Sequence, residues 1–240
     1  MKYWKFLYIL IFIFSSILIA SKAKANHIME PFLALPFSKD IPLDITEGWI
    51  YSDQERSIHG ISSHRAIDFA MPEGTPIYAA ASGYAVSATQ ISYLDRTYQG
   101  KKIGYSRGNF VEIWHPEQKV LTRYLHLSHI QEDIPYGQEI ENTGKFVRQG
   151  ELIGWSGSTG LAWGCDEAPN PTGDENKKCP TWDEDHLHFE VFRRNSEGKK
   201  DLRFDPFEIY KDYTHYKDFD RTIIDLWLKE EDGSIKHATK

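Results

Sequence analysis

The sequence predicts a mostly β domain in which sheet edges and loops form the functional site. Short runs of β-prone residues are separated from one another by glycine or proline. No helical period of comparable length occurs between these runs, and the chain shows no internal repeat. The segments predicted as strands are Gly48–Tyr51, Ile67–Ala70, Ile77–Ala80, Gly83–Ala88, Asn109–Trp114, Val120–Leu125, Leu152–Trp155 and Leu187–Phe192.

The first 25 residues have the pattern of a cleavable signal peptide. Two lysines in Met1–Lys5 precede an uncharged apolar run at Phe6–Ala20, and Ala23–Ala25 supplies small residues at the usual cleavage spacing. This run has 15 residues, whereas a membrane-spanning helix needs about 20. The alternative of a permanent membrane anchor is therefore not expected. We expect export across the inner membrane, to the periplasm or the extracellular medium.

The charge of the exported chain argues against a nucleic-acid partner. Removal of residues 1–25 leaves 24 basic and 35 acidic residues, a net charge of −11. Proteins that bind nucleic acid need a basic surface to neutralise its phosphates. A chain this acidic is not expected to bind nucleic acid.

The domain itself is expected to span residues 48–210, between two extensions. Residues 26–47 form a lead-in with closely spaced prolines, which we expect to lie extended on the domain surface. Residues 211–240 form a C-terminal tail. We expect a short amphipathic helix at Phe219–Lys229 and a frayed end over the last ten residues.

Two segments interrupt the even spacing of the predicted strands. Ser92–Ser106 is polar and is predicted to be a hairpin or a loop. Leu161–Asp185 is long for a loop, which suggests that it lines the site. It contains Cys165 and Cys179, the only cysteines of the chain, and after export we expect them to form a disulfide. A disulfide together with a cleavable signal favours the periplasm.

A His-x-His strand is the most informative single stretch. His186-Leu187-His188-Phe189-Glu190-Val191 alternates as a strand does, which places both histidines on one face about 7 Å apart. One imidazole can then bind a metal while its neighbour acts on what the metal activates, provided that other ligands come from elsewhere. The alternative is a strand with an ordinary polar face.

Two further elements can complete such a site. In one extended strand, His64 and Asp68 would lie about 13 Å apart, too far for bonds of about 2 Å to a single metal. A shared metal therefore requires a bend just before the strand that begins at Ile67. The third element is Arg123–Leu127, where His126 closes an apolar run.

Together these elements supply one carboxylate and four imidazoles, from His64, Asp68, His126, His186 and His188. A catalytic zinc site commonly takes three protein ligands and leaves one position for water, so two imidazoles remain for proton transfer. A structural zinc is usually closed by four ligands and would need no spare histidines. His59 is a weaker alternative to His64, and His115, next to Pro116, is interpreted as a turn residue.

The order of these motifs resembles the lysostaphin/LytM-type zinc metallopeptidases of the M23 family. The similarity covers about Gly48–Phe192 and includes connecting segments as well as the histidine motifs. The residues that carry it are His64–Asp68, Gly74–Ala80, Gly108–Val111, Tyr124–Leu127, Val147–Gly160 and His186–Glu190. Leu161–Asp185 is longer than the linker usually found before His-x-His, and its cysteines are not part of the family pattern.

The resemblance implies an antiparallel-sheet domain of the duplicated hybrid motif type with a loop-built active-site groove. It implies one Zn²⁺ held by His64, Asp68 and His188, with His126 and His186 as catalytic histidines that are not ligands. Members of the family are typically peptidoglycan endopeptidases, so the implied enzyme, expected to be a monomer, hydrolyses peptide cross-links or stem peptides of peptidoglycan. The alternative is a non-catalytic wall-binding or amidase-activating module, whose known examples generally lack some metal ligands.

Overall fold

Strands, turns and isolated bridges account for the regular structure of the described chain. The computed structural model describes residues 29–49, 64–90, 93–98, 101–105, 107–137, 144–163, 185–194, 200–207, 222–223 and 225–239. No helix occurs within these residues, which confirms the mostly β class. The strands are β1 (Leu35–Ser38), β2 (Ile45–Glu47), β3 (Ile67–Ala70), β4 (Pro76–Tyr78), β5 (Gly83–Gln90), β6 (Tyr93–Tyr98), β7 (Lys101–Tyr105), β8 (Gly108–His115), β9 (Val120–Leu127), β10 (His129–Ile130), β11 (Lys145–Val147), β12 (Leu152–Trp155), β13 (Leu161–Trp163), β14 (His186–Arg194), β15 (Lys200–Asp205), β16 (Thr222–Ile223) and β17 (His237–Thr239).

The largest sheet has nine strands, and β14 lies at its centre. Seven of them follow the order β11-β5-β8-β9-β14-β15-β16, while β3 pairs with β14 and β2 pairs with β3. One edge of β14 pairs with β9. The other edge pairs with β3 along its first half and with β15 along its second half. All pairings in this sheet are antiparallel except that of β15 with β16.

Most predicted strands occur within two residues of their expected ends. Those at Ile67–Ala70 and Leu152–Trp155 are found with the predicted bounds. The Ser92–Ser106 segment contains the antiparallel hairpin of β6 and β7, one of the two forms predicted for it. Of the strand predicted at Gly48–Tyr51, the two described residues, Gly48 and Trp49, follow the end of β2 at Glu47 and are not in a strand, while residues 50–51 lie outside the described residues.

Several sequence predictions fall outside the described residues. These are the signal peptide at residues 1–25, His59, both cysteines and their disulfide, and residues 164–184 of the predicted loop Leu161–Asp185. They stay predictions. The first three residues of that loop, Leu161–Trp163, instead form β13. Among the described residues, no helix is long and apolar enough to span a membrane.

The expectation that the lead-in lies on the domain surface is wrong for its central part. Leu33 and Phe37 are fully buried. β1 pairs in parallel with β17 at the other end of the chain, and Leu33 forms a bridge with Trp227. The Phe37 ring packs edge-on against Phe69 of β3 with 5.3 Å between centroids. The closely spaced prolines exclude a helix, but these apolar side chains place the segment in the core.

The tail also differs from its prediction. The predicted helix at Phe219–Lys229 is absent from its described residues, which form the short strand β16 and the bridge at Trp227. The last ten residues were expected to be frayed, but they are ordered up to Thr239, where β17 pairs with β1. The side chains of Leu226 and Trp227 are fully buried. The tail is therefore anchored by burial and by pairing with the lead-in.

His115 is buried in the core, which corrects its interpretation as a turn residue. It ends β8 with a fully buried side chain. Its Nδ1–H donates to the Ser82 carbonyl oxygen at 2.9 Å, and its Nε2 is 2.9 Å from the Thr122 hydroxyl. The Thr122 and Tyr124 hydroxyls are 3.2 Å apart, and the Ala80 N–H donates to the Tyr124 hydroxyl. Burial lowers the pKa of His115 to about 4, although the Ser82 hydrogen bond opposes the shift.

The buried lead-in predicts a stability effect. Substitution Phe37→Ala removes a fully buried ring that packs against Phe69 and His237, so we expect a loss of about 3–5 kcal/mol in the free energy of unfolding. Chemical denaturation measures this loss. The control Leu43→Ala, at a lead-in side chain that is 45% exposed, should change stability by less than about 0.5 kcal/mol. Equal small effects of both substitutions would contradict the burial of the lead-in.

His115 predicts a pH-dependent difference in stability. Burial lowers its pKa to about 4 in the folded protein, from the ordinary value of 6.5, so only the unfolded chain gains a proton between these values. The free energy of unfolding that depends on neutral His115 is thus fully present above pH 6.5. It falls by about 3 kcal/mol as the pH falls to about 4. Denaturation of wild type and His115→Gln across this range should show the wild type losing more stability. Parallel pH profiles would contradict the prediction.

Candidate metal centre

The pairing of β3 with β14 creates the first part of the site. Asp68 lies directly opposite His188 in the antiparallel register, so the two side chains project from the same face as near neighbours. Their Oδ1 and Nδ1 atoms are 2.9 Å apart. Strand alternation places His186 on this face as well, with its Nε2 3.8 Å from Asp68 Oδ2.

His64 reaches the same point through the bend that the sequence requires. Arg65, between His64 and β3, has a left-handed φ of 62°. This turn brings His64 Nε2 to 3.1 Å from Asp68 Oδ2 and 3.0 Å from His188 Nδ1. The extended separation of about 13 Å is thereby replaced by direct contact.

Backbone groups of Gly48 and Trp49 hold His64 in place and orient its imidazole. The Gly48 carbonyl oxygen lies 2.7 Å from His64 Nδ1. A carbonyl only accepts hydrogen bonds, so Nδ1 carries the proton and Nε2 keeps its lone pair for the cluster. The backbone N–H groups of His64 and Arg65 both donate to the Trp49 carbonyl oxygen at 3.0 Å.

His126 enters the site through an irregularity in β9. Asn109 pairs with Leu127 and Val111 with Tyr124, so β9 has one residue more than β8 over this stretch. A bulge of this kind redirects a side chain, and His126 has a left-handed φ of 63°. Its ring centroid lies 5.1 Å from that of His186 and 5.5 Å from that of His188. The His126 Nδ1–H donates to the Thr159 carbonyl oxygen at 2.9 Å.

The structure thus brings together all five residues singled out from the sequence. Each is at least nine-tenths buried. Burial alone would raise the pKa of Asp68, but His64, His186 and His188 hold that pKa well below its usual value. Asp68 is therefore an ionised carboxylate in the centre of the cluster.

Two imidazoles of the cluster differ in charge preference. Burial, followed by the neighbouring His186 and His188, lowers the pKa of His126 well below its usual value. Burial also acts to lower the pKa of His188, but the contact with Asp68 outweighs it and raises that pKa to about 9. His126 therefore favours the neutral form, whereas metal-free His188 favours the protonated form beside the Asp68 carboxylate.

The donor atoms fit a divalent metal such as zinc. His64, Asp68 and His188 each offer one ligand atom, all within 4.8 Å of one another. His64 Nε2 lies 3.0 Å from His188 Nδ1 and 3.1 Å from Asp68 Oδ2, while His188 Nδ1 lies 2.9 Å from the other oxygen, Asp68 Oδ1. These distances are near the roughly 3.3 Å that separates ligands around a tetrahedral ion with bonds of about 2.0–2.1 Å. A second overlapping group consists of His126, His186 and His188. Of the two groups, the first includes an anionic ligand, the Asp68 carboxylate.

A buried charge network, which the sequence interpretation missed, lies on the same sheet face. Arg123 of β9 pairs with Glu112 of β8 and donates from Nη1 to Glu190 Oε2 of β14 at 2.9 Å. Glu190 Oε1 lies 4.0 Å from His188 Nε2. The signal was present in the sequence, because these charged residues occupy alternate positions in otherwise apolar strands. The network extends the polar face beyond the cluster.

Comparisons with known proteins find similarity over the part of the chain that contains the cluster. The model of peptidase family M23 matches residues 62–201. The chain is 35% identical over 104 residues to the peptidoglycan DD-endopeptidase ShyA of Vibrio cholerae, an alignment of 43% of this chain and 19% of that protein. It is 38% identical over 107 residues to the DD-carboxypeptidase/endopeptidase Mpg of Neisseria meningitidis, an alignment of 45% of this chain and 19% of that protein.

The matches are limited to one part of these longer relatives. The chain spans about a fifth of the length of these two relatives, 19% in both cases. Among solved structures, the chain is similar to a zinc-containing peptidase from Vibrio cholerae, with 26% sequence identity and a TM-score of 0.40. That match covers 68% of this chain and 36% of the chain in the crystal structure. All five clustered residues lie inside the matched region.

The geometry predicts which residues determine metal affinity. Substitution Asp68→Asn keeps the shape of the side chain but removes the charge that contacts both His64 and His188. We expect zinc affinity, measured by isothermal titration of metal-free protein, to fall by more than about 100-fold. His126→Ala should bind zinc as wild type does. A larger loss in His126→Ala than in Asp68→Asn would instead assign the ion to the group of His126, His186 and His188.

Proposed function

The chain belongs to peptidase family M23, and on that premise we propose that it is an exported zinc metalloendopeptidase that hydrolyses peptides of peptidoglycan. The observation that carries the proposal is the convergence of an ionised carboxylate and four imidazoles in one buried cluster. Three of these side chains suffice to hold a metal with an open position, and two remain for proton transfer. We retain His64, Asp68 and His188 as the zinc ligands, and His126 and His186 as the catalytic pair.

His64, Asp68 and His188 would hold the metal of the proposed reaction. A bound zinc ion would polarise the scissile carbonyl and would lower the pKa of a bound water toward about 7. The ligands are suited to this role because His64 presents Nε2 and His188 presents Nδ1 toward the Asp68 carboxylate. The Gly48 carbonyl keeps His64 in the required tautomer.

His126 is suited to act as the general base. Burial lowers its pKa, so it is neutral at pH 7 and able to accept a proton. Its Nδ1–H is fixed on the Thr159 carbonyl oxygen, which leaves the Nε2 lone pair as the proton acceptor. His126 therefore takes the proton of the attacking water at Nε2 and passes it to the leaving amine.

His186 lies where it can assist the same step. Its ring contacts that of His126, and strand alternation projects it from the same face as His188. From this position, we propose that its Nε2–H donates a hydrogen bond to the carbonyl oxygen on which negative charge develops. Two histidines in contact also allow one to hold the proton while the other contacts the substrate.

The proposed substrate class rests on the relatives, of which one is named a peptidoglycan DD-endopeptidase and another a DD-carboxypeptidase/endopeptidase. We propose peptide cross-links or stem peptides of peptidoglycan as the substrate. Export by the signal peptide at residues 1–25 would bring a monomeric enzyme to this substrate in the periplasm or outside the cell. The acidic charge of the mature chain agrees with a partner other than nucleic acid.

The proposal predicts a separation between metal binding and catalysis. Wild-type protein loaded with zinc should release new amino termini from purified peptidoglycan, and mass spectrometry of the fragments identifies the bond. Removal of the metal should abolish this activity, and readdition of zinc should restore it. His126→Ala should lose about 10²–10⁴-fold in kcat while it retains one zinc ion.

Two results would contradict the proposal. Activity that survives complete removal of the metal would exclude a metalloendopeptidase. Zinc-loaded protein that cuts no peptidoglycan but stimulates an amidase would favour the non-catalytic activator module. An Asp68→Asn control separates loss of metal from loss of the base, since it should lose both zinc and activity.

A further inference from the structure

A short turn at Gly157–Gly160 contacts the backbone of Leu127, the residue after His126, and the backbone of Asn109 in the facing strand β8. We infer that Thr159 of this turn is a positioning residue, which holds His126 in the tautomer and orientation needed for proton transfer. The inference rests on the proposed function of His126, and it adds a residue that acts through the base without touching the substrate.

Thr159 makes three hydrogen bonds that surround His126. Its carbonyl oxygen accepts the His126 Nδ1–H at 2.9 Å. Its hydroxyl donates to the carbonyl oxygen of the next residue, Leu127, at 2.8 Å and accepts the Asn109 N–H at 3.0 Å. The side chain therefore fixes the same turn whose carbonyl fixes the imidazole.

The backbone of His126 needs such support. Its φ of 63° is left-handed, a conformation that residues with a Cβ adopt uncommonly. The bulge that sets this φ also interrupts the regular pairing of β8 with β9 between Asn109 and Val111. Hydrogen bonds from outside the ladder then replace the missing pairing. Those of Thr159 to Leu127 and Asn109 connect both strands at the bulge.

The start of β8 is shaped to receive the turn. Gly108 has a φ of 60°, and a Cβ on it would lie 2.1 Å from the Thr159 carbonyl oxygen. The Asn109 side chain donates from Nδ2 to the Leu127 carbonyl oxygen at 3.2 Å. Its Oδ1 accepts the Thr89 hydroxyl at 2.9 Å. Gly108 thus leaves space for the Thr159 carbonyl. The Asn109 side chain binds the Leu127 carbonyl oxygen, which also accepts the Thr159 hydroxyl.

The chemical consequence concerns the position of one proton. A neutral imidazole has a donor nitrogen and an acceptor nitrogen, and its hydrogen-bond partners determine which is which. The Thr159 carbonyl holds the proton on His126 Nδ1 and leaves Nε2 as the acceptor. If the turn moves, both tautomers become populated, and only part of the protein carries a competent base.

Substitution Thr159→Val tests the inference, because it keeps the shape of the side chain and removes both hydroxyl hydrogen bonds. We expect kcat on peptidoglycan peptides to fall by about 10–100-fold, as is typical when a partner that orients a site histidine is lost, with KM and zinc content unchanged. Thr159→Ser restores the hydroxyl and should recover most of the kcat. Ser158→Ala, in the same turn, is the matched control and should behave as wild type.

A readout independent of activity follows the tautomer directly. Long-range ¹H–¹⁵N spectra of zinc-loaded protein should show His126 as the Nδ1–H tautomer in wild type, Thr159→Ser and Ser158→Ala. Thr159→Val should show a mixture of tautomers. Gly108→Ala, whose new Cβ displaces the Thr159 carbonyl oxygen, should show the same mixture through a different residue.

The outcomes separate this inference from the proposed function. A Thr159→Val protein with wild-type kcat and a pure Nδ1–H tautomer would overturn the inference. So would a loss of kcat that is matched by loss of zinc or of thermal stability, because the role would then be structural only. If the wild type cuts no peptidoglycan, the proposed function fails, whereas the spectra still decide whether Thr159 sets the His126 tautomer.

Discussion

The register of β3 against β14 is the constraint on which the rest of the site depends. It sets Asp68 opposite His188, and a shift by one residue would turn one of the two side chains to the other sheet face. The register is held from the opposite face, where Ile67, Phe69, Leu187 and Phe189 are at most 1% exposed. A slip of either strand would move the two apolar side chains of that strand out of the core and toward the polar cluster. The apolar half of each strand therefore specifies the position of the polar half.

Orientation of the imidazoles depends on a second kind of constraint, the backbone carbonyls of other segments. His64 and His126 both direct Nδ1 at a carbonyl oxygen, in Gly48 and in Thr159. Each carbonyl fixes the proton on Nδ1 and frees Nε2, so both rings present the same nitrogen for chemistry. Because the two carbonyls belong to different loops, the strand register alone would place these histidines without fixing their tautomers.

The sequence predicted the local features of this protein better than its long-range ones. Alternation identified β3, β12 and β14, and the distance argument on His64 and Asp68 correctly required the bend now seen at Arg65. It did not predict that β1 pairs with β17, because pairing between residues 200 positions apart leaves no periodic signal in either segment. The φ of 63° at His126 was also hidden, since no glycine or asparagine occupies the position. His115 was misjudged because a neighbouring proline is typical of turns, whereas burial here depends on Thr122 and Ser82.

Residues outside the region matched by the family model also support the candidate metal centre. That region begins at residue 62, yet the carbonyls of Gly48 and Trp49, which hold His64, precede it. β2 pairs Glu47 with Asp68, and the Phe37 ring packs on Phe69, the residue next to Asp68. Phe37 in turn contacts His237 of β17. Since Phe69 is one of the side chains that hold the β3 register, packing supplied by the two chain ends supports the position of the carboxylate at the centre of the site.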